Sequence, residues 1–426
     1  MDTNIIHTGD CFDVLTDLPD ESIHAVVSDP PYGLAFMGRD WDDFEPKEYQ
    51  EWCEKWAREC LRVLKPGGHM LAFSGNRTHH RLFTGVEDAG FEIRDTLTWH
   101  YGSGFPKASD ISKTIDKRAD AEREVVGKKP HDRYNYERNT AVFSEKRLGH
   151  DDTTTVGKGN EKAAQVTAPA TDDAKKWDGW KTGLKPSTEF VVMARKPYDG
   201  ATVDSVLEHG TGALNIEACR VGDDVDTLRR ESGNIGDGVK YSEGPDSDMD
   251  TGSKDLVRYP SNLIFDEVAA EQLDADVGET KSCDPHTLTD KGKRNVYSND
   301  AKNTRHVGYP DSGGPSRYFY TSKATKAERT LDGKIDNAHP TVKPVDLMQW
   351  LVKLVTAEDQ IVLDPFCGSG TTCRAAKDLN RQFIGIERQE KWADVARVRA
   401  GLTPEDPSVV RDDAGQSGLE AYKVTQ

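Results

Sequence analysis

The chain has 426 residues, 35% of them hydrophobic and 31% charged, with a formal net charge of −18. This length predicts two to three domains with a sizeable core, and no apolar run reaches the ~20 residues of a membrane span. The opening MDTNIIHTGD lacks the basic and apolar segments of a secretory leader. The seven cysteines form no C-x-x-C pair, which excludes the usual disulfide and zinc patterns. A cytoplasmic protein without a metal is the expectation, its cysteines acting as small buried hydrophobes.

Strand and helix signals alternate through the first hundred residues, as in α/β domains. Ile23–Ser28 reads as a buried strand. Residues 48–64 (EYQEWCEKWARECLRVL) read as an amphipathic helix stopped by Lys65-Pro66-Gly67-Gly68. Short strands follow at Met70–Phe73 and Ile93–Trp99. From about 105 to 185 the chain turns polar and loses periodicity. Thr188–Ala194 is again a strand, closed by Arg195-Lys196-Pro197. Residues 198–335 are rich in Gly, Asp and Ser, with apolar islands such as Asn262–Phe265 and Tyr318–Tyr320. Regular α/β sequence resumes near Thr341: a helix over Pro344–Thr356, strands Ile361–Leu363 and Phe383–Ile386 around the helix Thr371–Leu379, and a helix Lys391–Ala400. The acidic tail from 401 to 426 is expected to be unstructured.

The excess of acid argues against a nucleic-acid partner, because phosphate is bound by clustered Lys and Arg. Its distribution changes that reading. Residues 105–149 carry eleven Lys/Arg against eight Asp/Glu, and 290–329 carry nine against four. Residues 221–280 carry five against sixteen. Acid therefore lies away from two locally basic segments. This favours a DNA-binding protein adapted to high salt, where surface carboxylate maintains solubility and repulsion is screened.

Two loops carry chemistry. Gly368-Ser369-Gly370 follows a strand and precedes a helix, where glycines allow a tight turn and close backbone approach to a ligand. Glu387 ends the next strand, at the place where an acidic residue grips a ribose diol. The second loop is Asp29-Pro30-Pro31-Tyr32, directly after the strand Ile23–Ser28. Two prolines remove N–H donors, so the turn offers a carboxylate and a carbonyl, two acceptors matched to an NH₂ group. Tyr32 adds a flat face for stacking on a base.

With these motifs the chain resembles the DNA amino-methyltransferases of the β group, which methylate N6 of adenine or N4 of cytosine with S-adenosylmethionine. In that group the catalytic D-P-P-Y precedes the cofactor-binding F-x-G-x-G, here Phe366-Cys367-Gly368-Ser369-Gly370, with target recognition between them. Gly9-Asp10 resembles the group's adenine-contacting acidic turn. His339-Pro340-Thr341-Val342-Lys343-Pro344 resembles its helix-leading motif beside the cofactor, and Trp99–Lys107 (WHYGSGFPK) a segment near the target base. The likeness covers about 1–107, 186–197 and 336–400.

The resemblance implies a circularly permuted Rossmann-like α/β sheet with helices on both faces and an irregular inserted target-recognition region. The implied divisions are 1–104, the D-P-P-Y part of the catalytic domain; 105–185, a polar insertion; 186–197, a catalytic-domain strand; 198–335, target recognition; 336–400, the cofactor part; and 401–426, the tail. Asp29, Pro30, Pro31 and Tyr32 are implied to be catalytic. Asp10, Thr341, Lys343, Asp364, Phe366, Gly368, Ser369, Gly370, Thr371 and Glu387 are implied to bind S-adenosylmethionine. Asp364 would take the methionine amine, Phe366 the adenine face, Glu387 the ribose hydroxyls and Asp10 the adenine amine. Double-stranded DNA is the implied partner, with a homodimer and a cognate restriction endonuclease as further expectations. The implied source is a halophilic archaeon or its virus. D-P-P-Y, rather than S-P-P-Y, favours N6-adenine. Cytosine-N4, RNA or protein-amide methylation, or a silent DNA-binding relative, are the alternatives.

Overall fold

The computed structural model describes residues 1–34, 42, 44–102, 104, 108–128, 165–222, 258–281, 286–287, 305–306, 312–322, 326–335, 337, 339 and 341–410. The chain divides into two compact units, one formed by 1–103 with 188–426, the other by 104–187.

The first unit is built on a nine-stranded sheet. From edge to edge it runs Ile5–Thr8, Gln382–Glu387, Ile361–Asp364, Ile23–Ser28, Leu64–Gly75, Thr188–Arg195, Glu92–His100, Leu263–Asp266 and Tyr320–Ser322. Thr188–Arg195 is antiparallel to both its neighbours, and every other pairing is parallel. The central strands are apolar on both faces, as strands covered by helices on each side must be. Ala25 and Val27 face the core beneath the helix Val345–Val355, while Val26 faces the core that holds Trp56 and Leu82. Cysteines 11, 53, 60, 219, 367 and 373 are free and buried; Cys283 lies outside the described residues.

The helix Pro46–Val63 starts where its sequence says it should. Pro46 fills the first turn, and the Glu48 carboxylate accepts the Glu45 N–H at 3.2 Å. Its buried face is Tyr49, Cys53, Trp56, Ala57, Cys60 and Val63, the spacing of one helical stripe. Lys65-Pro66-Gly67-Gly68 does end this helix, but no loop follows. The strand begins at Leu64 and runs twelve residues to Gly75, much longer than the expected Met70–Phe73. Hydrogen bonds from a later segment keep these residues extended. Gly67 N–H donates to Lys196 O, and the Ser205 and Thr211 hydroxyls both donate to Pro66 O.

Three expectations need correction. The apolar islands of 198–335 are not separate from the catalytic sheet, because Leu263–Asp266 and Tyr320–Ser322 are its last two strands. The tail is not loose from 401 onward. Asp394 accepts the backbone N–H of Glu405 and Asp406, Arg397 pairs with Glu405, and buried Val410 bridges to Ile335. Residues 411–426 lie outside the described residues.

The third concerns 105–185, expected to be irregular. Within the unit 104–187 there are helices Ile111–Arg118 and Asp172–Lys176 and an antiparallel pair, Val125–Lys128 with Gln165–Thr167. The hub of this unit is polar. Asp116 is buried and accepts from Arg123, from the backbone of Ala170 and Thr171, and from the Thr171 hydroxyl. Desolvation pushes its carboxyl up, but these donors outweigh it and hold it at about 2. No helix among the described residues is long and apolar enough to cross a membrane.

Candidate active site

The parallel sheet brings the two chemical loops together. Leu363 pairs with Val26, so Ile361–Asp364 and Ile23–Ser28 end side by side. Across those tips the Ser28 hydroxyl donates to Asp364 Oδ1 at 2.6 Å. Asp29 and Pro365 thus leave adjacent strands at the carboxyl edge, where open α/β sheets bind ligands. On the other side Ile5–Thr8 pairs with Gln382–Glu387, Thr8 opposite Glu387, which places Asp10 beside the same edge.

The glycine turn is tightly enclosed. Gly368 has φ +51° and Gly370 φ +79°. A Cβ on Gly368 would lie 3.1 Å from the His339 ring, and one on Gly370 only 2.7 Å from the Ala396 methyl. The Arg399 guanidinium, itself buried, donates to Ser369 O, Ser369 Oγ and Thr371 Oγ1 at 2.8–3.0 Å. Those two hydroxyls therefore serve the turn's own structure. The Phe366 ring is wedged against Trp52 and Trp56, at centroid distances of 5.3 and 5.4 Å.

Two carboxylates at this edge are unusually protonation-prone. Burial raises Asp364 to about 6 despite hydrogen bonds from Ser28, Thr372 and Phe366 N–H. Burial raises Glu387 to about 7 despite backbone N–H donors from Gln389, Gly368 and Arg388. Both groups gain from a ligand that brings hydroxyl or ammonium donors.

A cleft connects this turn to the D-P-P-Y loop. Asp29, His339, Thr341, Lys343, Phe366, Gly368, Ser369 and Thr371 all line it. At its Asp29 end four side chains form a closed ring. Lys343 Nζ donates to Asp29 Oδ2 at 2.6 Å and pairs with Glu189 Oε2 at 3.2 Å. The Tyr32 hydroxyl reaches Asp29 Oδ1 at 2.8 Å and Glu189 Oε2 at 3.0 Å. Burial, reinforced by both carboxylates, keeps the Tyr32 phenol far above its ordinary range. Burial alone would lower Lys343, but Asp29 and Glu189 outweigh it and raise the ammonium. The Pro31 carbonyl accepts from the Tyr49 hydroxyl at 2.9 Å.

The N6_N4_Mtase family model, described as DNA methylase, matches residues 23–398. The chain belongs to this family of DNA methylases. Its relatives include the type II methyltransferase M.HindIII of Haemophilus influenzae, 24% identical over 93% of this chain and 95% of that protein. The type II methyltransferase M.HinfI, also of Haemophilus influenzae, is 34% identical over 29% of this chain and 34% of that protein. Among solved structures, the PvuII cytosine-N4-specific DNA methyltransferase is 15% identical over 92% of this chain and 85% of that one, at a TM-score of 0.43.

DNA methylases of this family take their methyl group from S-adenosylmethionine. The glycine turn and the two raised carboxylates fit that cofactor, which brings an ammonium and ribose hydroxyls as donors. Several of the expected residues also have partners within the protein. Lys343, expected on the cofactor side, lines the cleft and has its ammonium on Asp29 and Glu189. Asp10 caps the helix Cys11–Asp17, accepting the Phe12 N–H at 3.0 Å. Tyr32, expected to stack on a base, has its hydroxyl tied into the ring. Glu189 was not anticipated at all. Of WHYGSGFPK, Ser103 and Phe105–Lys107 lie outside the described residues. Trp99 Nε1 donates to Ser322 Oγ, and Tyr101 packs against the Trp99 ring at 5.4 Å. Burial raises the Tyr101 phenol to about 12, with the Glu189 charge adding and Lys343 opposing.

Proposed function

We propose that this DNA methylase transfers a methyl group to N6 of adenine in a flipped-out base. The observation that carries the reading is Asp29, held at the strand tip in the same cleft as the glycine turn. An exocyclic amine is a poor nucleophile because its lone pair is delocalised into the ring. The Asp29 carboxylate and the Pro30 carbonyl accept its two N–H bonds, drawing the nitrogen towards tetrahedral geometry and freeing the lone pair. S-adenosylmethionine, when bound, supplies a methyl carbon activated by its sulfonium. With the methyl donor retaining the electron pair of its broken bond, Asp29 would accept the extra amine proton or pass it to water. No covalent enzyme intermediate is involved, so the buried cysteines take no part.

Gly368, Gly370, Asp364, Phe366, Thr341 and Glu387 surround the cofactor in this reading, and Asp10 lies at its adenine end. The preference for adenine over cytosine rests on Asp, rather than Ser, at the head of the P-P-Y motif. Tyr32, its ring held in place by the hydroxyl's contacts with Asp29 and Glu189, is the aromatic that stacks on the target base. Nucleoside analysis of DNA methylated by the purified protein tests the reading. N6-methyladenine supports it, and N4-methylcytosine assigns the same amine chemistry to the other base.

A further inference from the structure

We infer that Glu189 is a positioning residue that sets the charge of the methyl-transfer site, acting through Lys343 and Tyr32 on Asp29. This rests on the proposal that Asp29 receives the target amine. Asp29 does not stand alone: among the described residues, the Lys343 ammonium lies within hydrogen-bond reach of it and, through that cation, the Glu189 carboxylate. Lys343 Nζ is 2.6 Å from Asp29 Oδ2, so the pair by itself would be neutral. Glu189 Oε2, 3.2 Å from the same ammonium, restores one net negative charge to the group. Tyr32 contributes none, because its phenol stays protonated.

That remaining charge matters for this reaction. As the methyl group arrives, the amine nitrogen becomes positive. A preorganised anion stabilises the change, and a neutral ion pair does so poorly. Glu189 also anchors the far side of Lys343 and Tyr32, so neither is drawn wholly onto Asp29. Its own side chain is 20% exposed and Lys343 8%, so the group is shielded enough for one unit of charge to count. The sheet explains how Glu189 arrives there. It lies on the antiparallel strand Thr188–Arg195, paired with Gly75 on one side and Trp99 on the other.

The test is steady-state methyl incorporation into DNA, together with calorimetric cofactor binding, for wild type, Asp29→Ala, Glu189→Gln, Glu189→Asp, Lys343→Met and Glu189→Gln/Lys343→Met. Glu189→Gln should lower kcat by roughly 10- to 100-fold, the effect of one charge at this range. Its cofactor Kd and its KM for DNA should stay within about threefold of wild type. Glu189→Asp, which keeps the charge on a shorter arm, should recover part of the loss. The double variant again carries one net negative charge, so at saturating cofactor its kcat should exceed that of Glu189→Gln. Full kcat in Glu189→Gln overturns the inference, as does a loss confined to KM or a double variant no better than Glu189→Gln. If Asp29→Ala also keeps full activity, the underlying reading fails and the inference falls with it. If Asp29→Ala is inactive while Glu189→Gln is not, only the inference falls.

Discussion

If Glu387 and Asp364 hold S-adenosylmethionine as proposed, their raised carboxyls should make its affinity depend on pH. Glu387 titrates at about 7 and Asp364 at about 6, each raised chiefly by burial. Between pH 5.5 and 8 the ionised fraction of Glu387 rises from about 3% to about 90%, and that of Asp364 from about a quarter to nearly all. If only the ionised forms receive the donors of the cofactor, affinity rises by about 30-fold through Glu387 and by a further ~4-fold through Asp364. Stability of the free protein moves in the opposite direction. A carboxyl whose folded pKa is raised contributes stability below its unfolded pKa and loses it as pH rises through the folded value. The Glu387 shift from 4.5 costs the free protein on the order of 3 kcal/mol above pH 7. Titration calorimetry from pH 5.5 to 8 should show tightening binding with proton release, and the thermal shift on adding cofactor should grow in parallel. Glu387→Gln should flatten the curve to the smaller Asp364 contribution. A wild-type Kd constant within twofold across the range would refute the reasoning.

Three further outcomes follow from the packing. Gly370→Ala places a methyl 2.7 Å from the Ala396 side chain at a φ of +79°, and should cost about 2–5 kcal/mol in denaturant unfolding; an unchanged midpoint contradicts this. Arg399→Met leaves Ser369 O, Ser369 Oγ and Thr371 Oγ1 without their donor, and should destabilise by roughly 2–5 kcal/mol and weaken cofactor binding; equal affinity in calorimetry argues against it. Asp116, depressed to about 2, stabilises its unit above the unfolded carboxyl pKa and loses that contribution as pH falls towards 2. Asp116→Asn should therefore speed hydrogen exchange in 111–118 and 165–176 at neutral pH, and exchange as slow as wild type would oppose the hub assignment.

What could be read from the residues divides along physical lines. Ile23–Ser28, Ile361–Asp364 and Gln382–Glu387 were legible because central parallel strands are continuous apolar runs, and the turn at Gly368–Gly370 announces itself by glycine alone. The last two strands, Leu263–Asp266 and Tyr320–Ser322, were not, being only four and three residues long and set among turn-forming residues. The unit 104–187 hid for another reason: its described part is organised around a buried aspartate, which leaves no apolar period to detect. Glu189 escaped because its partners, Tyr32 and Lys343, lie more than 150 residues away along the chain and only the fold brings them to it. A charged residue at the head of the apolar strand TEFVVMAR was the one available signal. Lys343 lies just before the helix Val345–Val355 rather than on a strand. The motif around it was recognised, but only the fold shows that its ammonium turns to Asp29.

The central claim is that Asp29 presents the target amine of DNA to the methyl donor. Its most direct test is nucleoside analysis of unmethylated DNA incubated with S-adenosylmethionine and either wild type or Asp29→Ala, after calorimetry has established that both bind the cofactor. The account predicts N6-methyladenine from wild type and a loss of at least about 10³-fold in Asp29→Ala with cofactor affinity retained. Methylation by Asp29→Ala at a rate near wild type would contradict it.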